Sequence, residues 1–151
     1  MPGFRASGLR LVLVSCLVLA VAAPAAAVPR EPRMVAKINA ARERHGLPPL
    51  RPSRSLTRSA RAYAAHLMRI DWFGHADRIR ASPRFRMLGE VLAWHSDRRP
   101  RRSGTVRRWL ASPGHRKLIL KRAFRWIGAG RAVGRFGGGP ATIWVVQLGR
   151  Y

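Results

Sequence analysis

Cysteine is almost absent from this chain: there is one, Cys16, and it lies in an apolar N-terminal stretch. Beyond that stretch there is no thiol nucleophile, no disulfide and no cysteine-based metal cluster to consider. Acids are nearly as scarce, since six Asp and Glu face 30 Lys and Arg for a formal charge of +24. Such a surface should adhere to anionic matter, whether nucleic acid, acidic lipid or cell-wall polyanion, non-specifically and mainly at low salt. The bases are mostly arginine and run from Arg30 to Arg150 without forming one arm. That distribution favours a solvated, generally basic surface over a dedicated nucleic-acid site.

Long apolar runs are also lacking, with one exception. Arg5 and Arg10 precede an apolar run from Leu11 to Ala23, which leads into Ala25-Ala26-Ala27. This is the layout of a secretory signal peptide, residues 1–27, with cleavage before Val28 and export as the consequence. The run falls short of the roughly 20 residues that span a bilayer, and Pro24 interrupts its end, so a retained signal anchor is the weaker alternative. A lipoprotein signal at Cys16 is weaker still, because too few apolar residues separate Arg10 from the cysteine. Cleavage leaves about 124 residues, enough for one core and, by default, a monomer. A short leader, 28–33, and one domain, 34–151, are expected.

Met34, Ile38, Ala41 and His45 repeat at helical steps, with Pro32 before them and Gly46 after. The Leu47-Pro48-Pro49-Leu50 turn follows. Leu56, Ala60, Tyr63, Leu67 and Ile70 then mark a second helix starting near Ser53 or Ser55, with Arg54, Arg58 and Arg61 on its other side. Loops fill 71–88, a strand is expected from Met87 to Trp94, and Val106, Trp109 and Leu110 belong to a short helix ended by Pro113, after which helix restarts. Two strands close the chain, Arg125 to Val133 and Ala141 to Gly149, joined by a glycine-rich loop from Gly134 to Pro140. Ile143 to Val146 is apolar on both faces, as in a central strand covered from both sides. The expected class is α+β, a three-layer α-β-α sandwich around a small, mainly antiparallel sheet.

The familiar catalytic signatures are missing: there is no H-E-x-x-H, no G-x-S-x-G and no Walker loop. Gly128-Ala129-Gly130 with Gly134 approaches a dinucleotide fingerprint, but it runs into three glycines and Pro140 where a helix is required, and so reads as hairpin chemistry. Three polar residues remain in apolar or turn contexts: His75, Glu90 and His115. Glu90 is one of the six acids, yet its neighbours are strand-forming and apolar. A carboxylate in a covered strand is costly unless paired or ligated. Their separations of 15 and 25 residues match no local metal motif.

Ile38-Asn39-Ala40-Ala41-Arg42, His45-Gly46-Leu47-Pro48-Pro49-Leu50, Phe73-Gly74-His75, Gly89-Glu90, the segment Trp109 to Arg116 containing Ser112-Pro113-Gly114-His115, Gly128-Ala129-Gly130 and the run Trp144 to Gly149 occur in this order. Together they resemble the CAP superfamily of cysteine-rich secretory, antigen 5 and pathogenesis-related proteins, in its bacterial SCP-like extracellular branch. The resemblance implies an α-β-α sandwich with a cleft lined by two histidines and two acids that binds divalent cations in some members. It places His75, Glu90 and His115 in that cleft and Ser112 where the second acid would stand. Val91 and Leu118 replace asparagines usual in bacterial relatives. No cofactor is required on this reading, and zinc on His75, Glu90 and His115 would be weak. The leading function is a secreted module binding a lipid, a cell-wall component or another extracellular ligand. The alternatives are a hydrolase, using a cleft histidine as base toward Ser112 or water with Glu90 orienting it, and a polyanion-adhesion protein.

Overall fold

The computed structural model describes residues 31–151; the expected signal peptide and the first half of the leader lie outside the described residues. The first helix begins before the first of the periodic positions, Met34. Helix α1, Pro32–Glu43, opens with proline in its first turn, where a missing N–H costs nothing. Glu31, expected in the leader, is tied into the domain by ion pairs to Arg102 at 3.5 Å and Arg131 at 3.6 Å.

Strand β1, Arg51–Pro52, is too short to leave a periodic signal. Helix α2, Arg54–Ile70, carries the strongest amphipathic pattern of the chain; Ser53 caps it by accepting from the Leu56 amide. Strand β2 is Met87–His95, and α3, Arg102–Ala111, meets α4, Pro113–Ile119, at Ser112, whose extended backbone breaks the helix. Strands β3, Trp126–Phe136, and β4, Gly139–Arg150, run further than expected. Pairing continues to Phe136 opposite Gly139, so only Gly137 and Gly138 form the turn. Both have positive φ, 58° and 78°, as a two-residue hairpin of this hand requires.

The sheet order is β1-β3-β4-β2, with β1 parallel to β3 and the rest antiparallel. The doubly apolar run is indeed central: β4 lies between β3 and β2, and Ala141 to Gly149 is buried throughout. One face of the sheet packs on α1, α3 and α4 through Met34, Ile38, Val106, Trp109, Ile119 and Trp144. The other packs on α2 through Ala60, Ala64, Leu67, Leu92, Ile143 and Val145. This is the three-layer sandwich.

Not every arginine belongs to the basic surface. Arg42 is fully buried; its guanidinium donates to the carbonyls of Pro48, Ile119 and Lys121 and so ties α1 to the end of α4. It has no carboxylate partner, and burial, followed by Arg125 and Arg122, pulls its pKa down.

Candidate functional site

Glu90 is the best-satisfied acid of the domain. On β2 it lies opposite Gln147 of β4, on the face toward α2. Its Oε1 accepts from His75 Nδ1 and from the Ala76 amide, both at 3.2 Å, and its Oε2 accepts from Gln147 Nε2 at 2.9 Å. The carboxylate is 5 % exposed and the His75 side chain 60 %. A buried negative charge thus holds an exposed imidazole in place, which resolves the cost anticipated for an acid in a covered strand.

The loop carrying His75 is held from two further sides. Tyr63 of α2 donates its hydroxyl to the Gly74 carbonyl at 2.9 Å. Its own pKa is raised by burial first and then by Glu90 and Asp77, so the phenol remains a donor. The Trp72 ring lies across Gly74, where a Cβ would stand 2.2 Å from a ring carbon, so a side chain there would displace the ring.

His115 stands in the first turn of α4. Ser112 provides no side-chain cap for that helix; its Oγ instead shares a 2.9 Å hydrogen bond with His115 Nδ1. Burial lowers the His115 pKa and the charge of His75 lowers it further. The two imidazoles are therefore within each other's field, although they come from different layers of the sandwich. Glu90 orients His75 and not His115, so the Ser112–His115 pair has no acid behind it.

The expected zinc set is not assembled. Among the described residues no three His, Cys, Asp or Glu side chains are grouped so as to hold a metal ion. Both Glu90 oxygens are engaged by His75, Ala76 and Gln147, and His115 turns Nδ1 to Ser112. With its oxygens so engaged, Glu90 orients His75 and is not grouped with the two histidines as a third ligand at the roughly 2.0–2.2 Å from one point that such an ion needs.

Beside this network a groove of about 680 Å³ runs along α2. Tyr63, His66, Ile70 and Trp72 form much of its wall, and Arg58, Arg78 and Arg80 lie along it with one acid, Asp77. His75 and Gln147 also line it, whereas Ser112 and His115 do not. Gln147 was a missed member of the site. Its signal was legible, because a lone amide in a doubly covered apolar strand calls for the same explanation as Glu90.

Residues 35–148 match the sequence profile described as the cysteine-rich secretory protein family, CAP. The protein YkwD of Bacillus subtilis is 31 % identical over 135 residues, which is 83 % of this chain and 49 % of that one. The chain therefore spans about half the length of this relative. Among solved structures, an outer surface protein of Borrelia burgdorferi superposes with a TM-score of 0.65 at 20 % identity, covering 79 % of this chain and 90 % of the other. An SCP-domain extracellular protein of Bacillus anthracis gives 0.61 at 21 %, covering 80 % and 40 %. The sandwich, the order of the motifs and the length of the profile match agree, and the chain belongs to the CAP, or cysteine-rich secretory protein, family.

Proposed function

We propose that this is an exported binding domain that takes an amphiphilic anion into the groove along α2. The carrying observation is the polarity of that groove. Arg58 and Ile70 are twelve residues apart on one helix, hence roughly 18 Å along its axis. Arg58 and Arg80, which also border the start of α2, stand at the first end, and at the other are Ile70, 44 % exposed, and Trp72, 52 % exposed. Large apolar side chains left open beside cations suit a ligand with an apolar body and a negative head. Export rests on the leader sequence and on relatives described as extracellular or outer-surface proteins.

One observation favours the hydrolase reading: a serine hydroxyl sits 2.9 Å from an imidazole whose pKa is lowered. Against it, the pair has no orienting acid and does not line the groove. The test is calorimetric titration with oleate below its aggregation concentration. The parent should bind saturably, and Trp72→Ala with Ile70→Ser should weaken binding about fivefold or more through lost apolar contact. Binding indifferent to these changes would sink the proposal. A p-nitrophenyl ester hydrolysis abolished by Ser112→Ala would put the hydrolase first.

A further inference from the structure

A second concavity, of about 630 Å³, lies over the start of α2 and shares Arg58 and Arg80 with the groove. Arg54 and Arg84 line it as well, and no Asp or Glu does. The four arginines come from α2 and from the 80–84 loop, and all four are exposed. Among the described residues none of their guanidinium groups is in a salt bridge, since those present engage Arg101, Arg102, Arg131 and His75.

The walls are fixed. The Ser82 amide donates to Ser55 Oγ at 2.6 Å, which pins the loop to the first turn of α2. The next buried anchor is Phe85, whose ring stacks on Tyr151 at 4.3 Å, and Tyr151 meets Trp126 edge-on at 5.5 Å. The backbone that carries Arg80 and Arg84 is thereby tied to the start of α2, and the two side chains line one depression with Arg54 and Arg58. Abundant arginine does not by itself produce this. Another arginine-rich concavity, around Arg101, Arg107 and Arg108, contains Asp97, whose carboxylate already accepts from Arg101 at 2.6 Å.

We propose that the concavity formed by Arg54, Arg58, Arg80 and Arg84 is a binding site for a phosphate group. Guanidinium forks match phosphate oxygens in pairs. Four like charges brought together by folding repel one another, and a multiply charged anion removes that cost. The Ser55 and Ser82 hydroxyls line the same space and can donate to a phosphate's remaining oxygens. The phosphate can be free or the diester of a lipid headgroup, since both present the same oxygens. The two sites share Arg58 and Arg80 but can be tested apart, because Arg54 and Arg84 line this concavity and not the groove.

The experiment is titration of the purified domain at constant ionic strength, with inorganic pyrophosphate in one arm and monomeric dihexanoyl phosphatidylglycerol in the other. Two charge-matched double variants are compared: Arg54→Gln with Arg84→Gln, and Arg98→Gln with Arg99→Gln. Saturable binding of either probe is expected in the parent, weakened about tenfold or more by the first variant and less than about twofold by the second. Pyrophosphate binding identifies a site for free phosphate, and binding of the phospholipid alone identifies a headgroup site. Equal weakening in both variants would reduce the effect to net charge and overturn the proposal, as would no saturable binding in either arm. Oleate binding that survives Arg54→Gln with Arg84→Gln would leave the groove proposal standing whichever way the phosphate result falls.

Discussion

The two faces of the sheet are closed by opposite means. Toward α1, α3 and α4 the strands present Ile127, Trp144, Val146 and Leu148, and large side chains fill the interlayer space. Toward α2, β3 presents glycine instead, while Leu92 of β2 and Ile143 and Val145 of β4 supply the side chains that pack on the helix. A Cβ on Gly128 would lie 2.2 Å from the Leu56 carbonyl carbon and the Thr57 amide nitrogen, and one on Gly130 would lie 2.4 Å from backbone atoms of Ala60 and Arg61. Helix and strand thus touch backbone to backbone over the first half of α2. The difference has a functional meaning. The face filled by side chains is a scaffold, whereas the face closed by glycine holds α2 rigidly beside Glu90 and Gln147 and leaves its open space at the margin, where the groove lies.

The sharpest way to break this comparison is to add one methyl on each side. Gly130→Ala forces backbone against backbone, which no rotamer change relieves, and should cost about 3 kcal/mol or more. Gly104 lies within α3 with nothing near its missing Cβ. Gly104→Ala should therefore stabilise by about 0.5–1 kcal/mol, because helix interiors disfavour glycine. Urea unfolding midpoints of the two variants should move in opposite directions. A small effect at Gly130 would mean that α2 can retreat from the sheet and that the groove is not rigidly built.

Next in size is the polar island on the α2 face. Glu90→Ala removes the acceptor for His75, the Ala76 amide and Gln147, leaving buried donors unpaired, and should cost about 2–3 kcal/mol. Glu90→Gln should cost about 1 kcal/mol or less. The Gln147 Oε1 is buried without a partner, so a flip of that amide lets it accept from the new side-chain NH2 while leaving one amide atom unpaired as before. Denaturant unfolding of the two variants separates the outcomes. Equal losses would show that the charge of Glu90, and not its hydrogen bonds, holds the island together.

The periodicity of α2 is legible as far as Ile70, whereas its start reads as either Ser53 or Ser55, and the structure selects Ser53 as the cap. Glu90 was legible as an anomaly, since an acid among strand formers demands a partner. Its partner Gln147 was hidden because an uncharged amide attracts less notice in an apolar run, although the cost of burying it is of the same kind. Arg42 was hidden by company: among so many surface arginines, one fully buried against carbonyls carries no distinguishing local pattern. The two-residue β1 and the three-dimensional relation of His75 to His115 depend on long-range pairing, which spacing along the chain does not encode. By sequence alone the glycines at 128, 130 and 134 suggest hairpin chemistry. Their alternate spacing instead marks the strand face that α2 approaches, and only Gly137 and Gly138 belong to the turn.

The smallest expected effect tests whether the two halves of the site meet. His115 has its pKa lowered from 6.5 by burial first and by the charge of His75 second. A lowered imidazole pKa means that the unfolded chain takes up a proton before the folded one does. The stability linked to His115 is therefore fully present above pH 6.5 and is lost as pH falls from there through its lower folded value. His95 adds to the same acid-side loss, its pKa being lowered by burial and by Arg108. His75→Gln removes one of the two causes acting on His115 and leaves burial, the larger, in place. In a proton NMR titration the His115 ring should then titrate closer to its ordinary value without reaching it, while the His95 ring should not move, since His75 is not among its causes. If His115 titrates identically in parent and variant, the Glu90-anchored loop and the first turn of α4 do not share a cleft. The Ser112–His115 pair would then be only a local feature of the break between two helices.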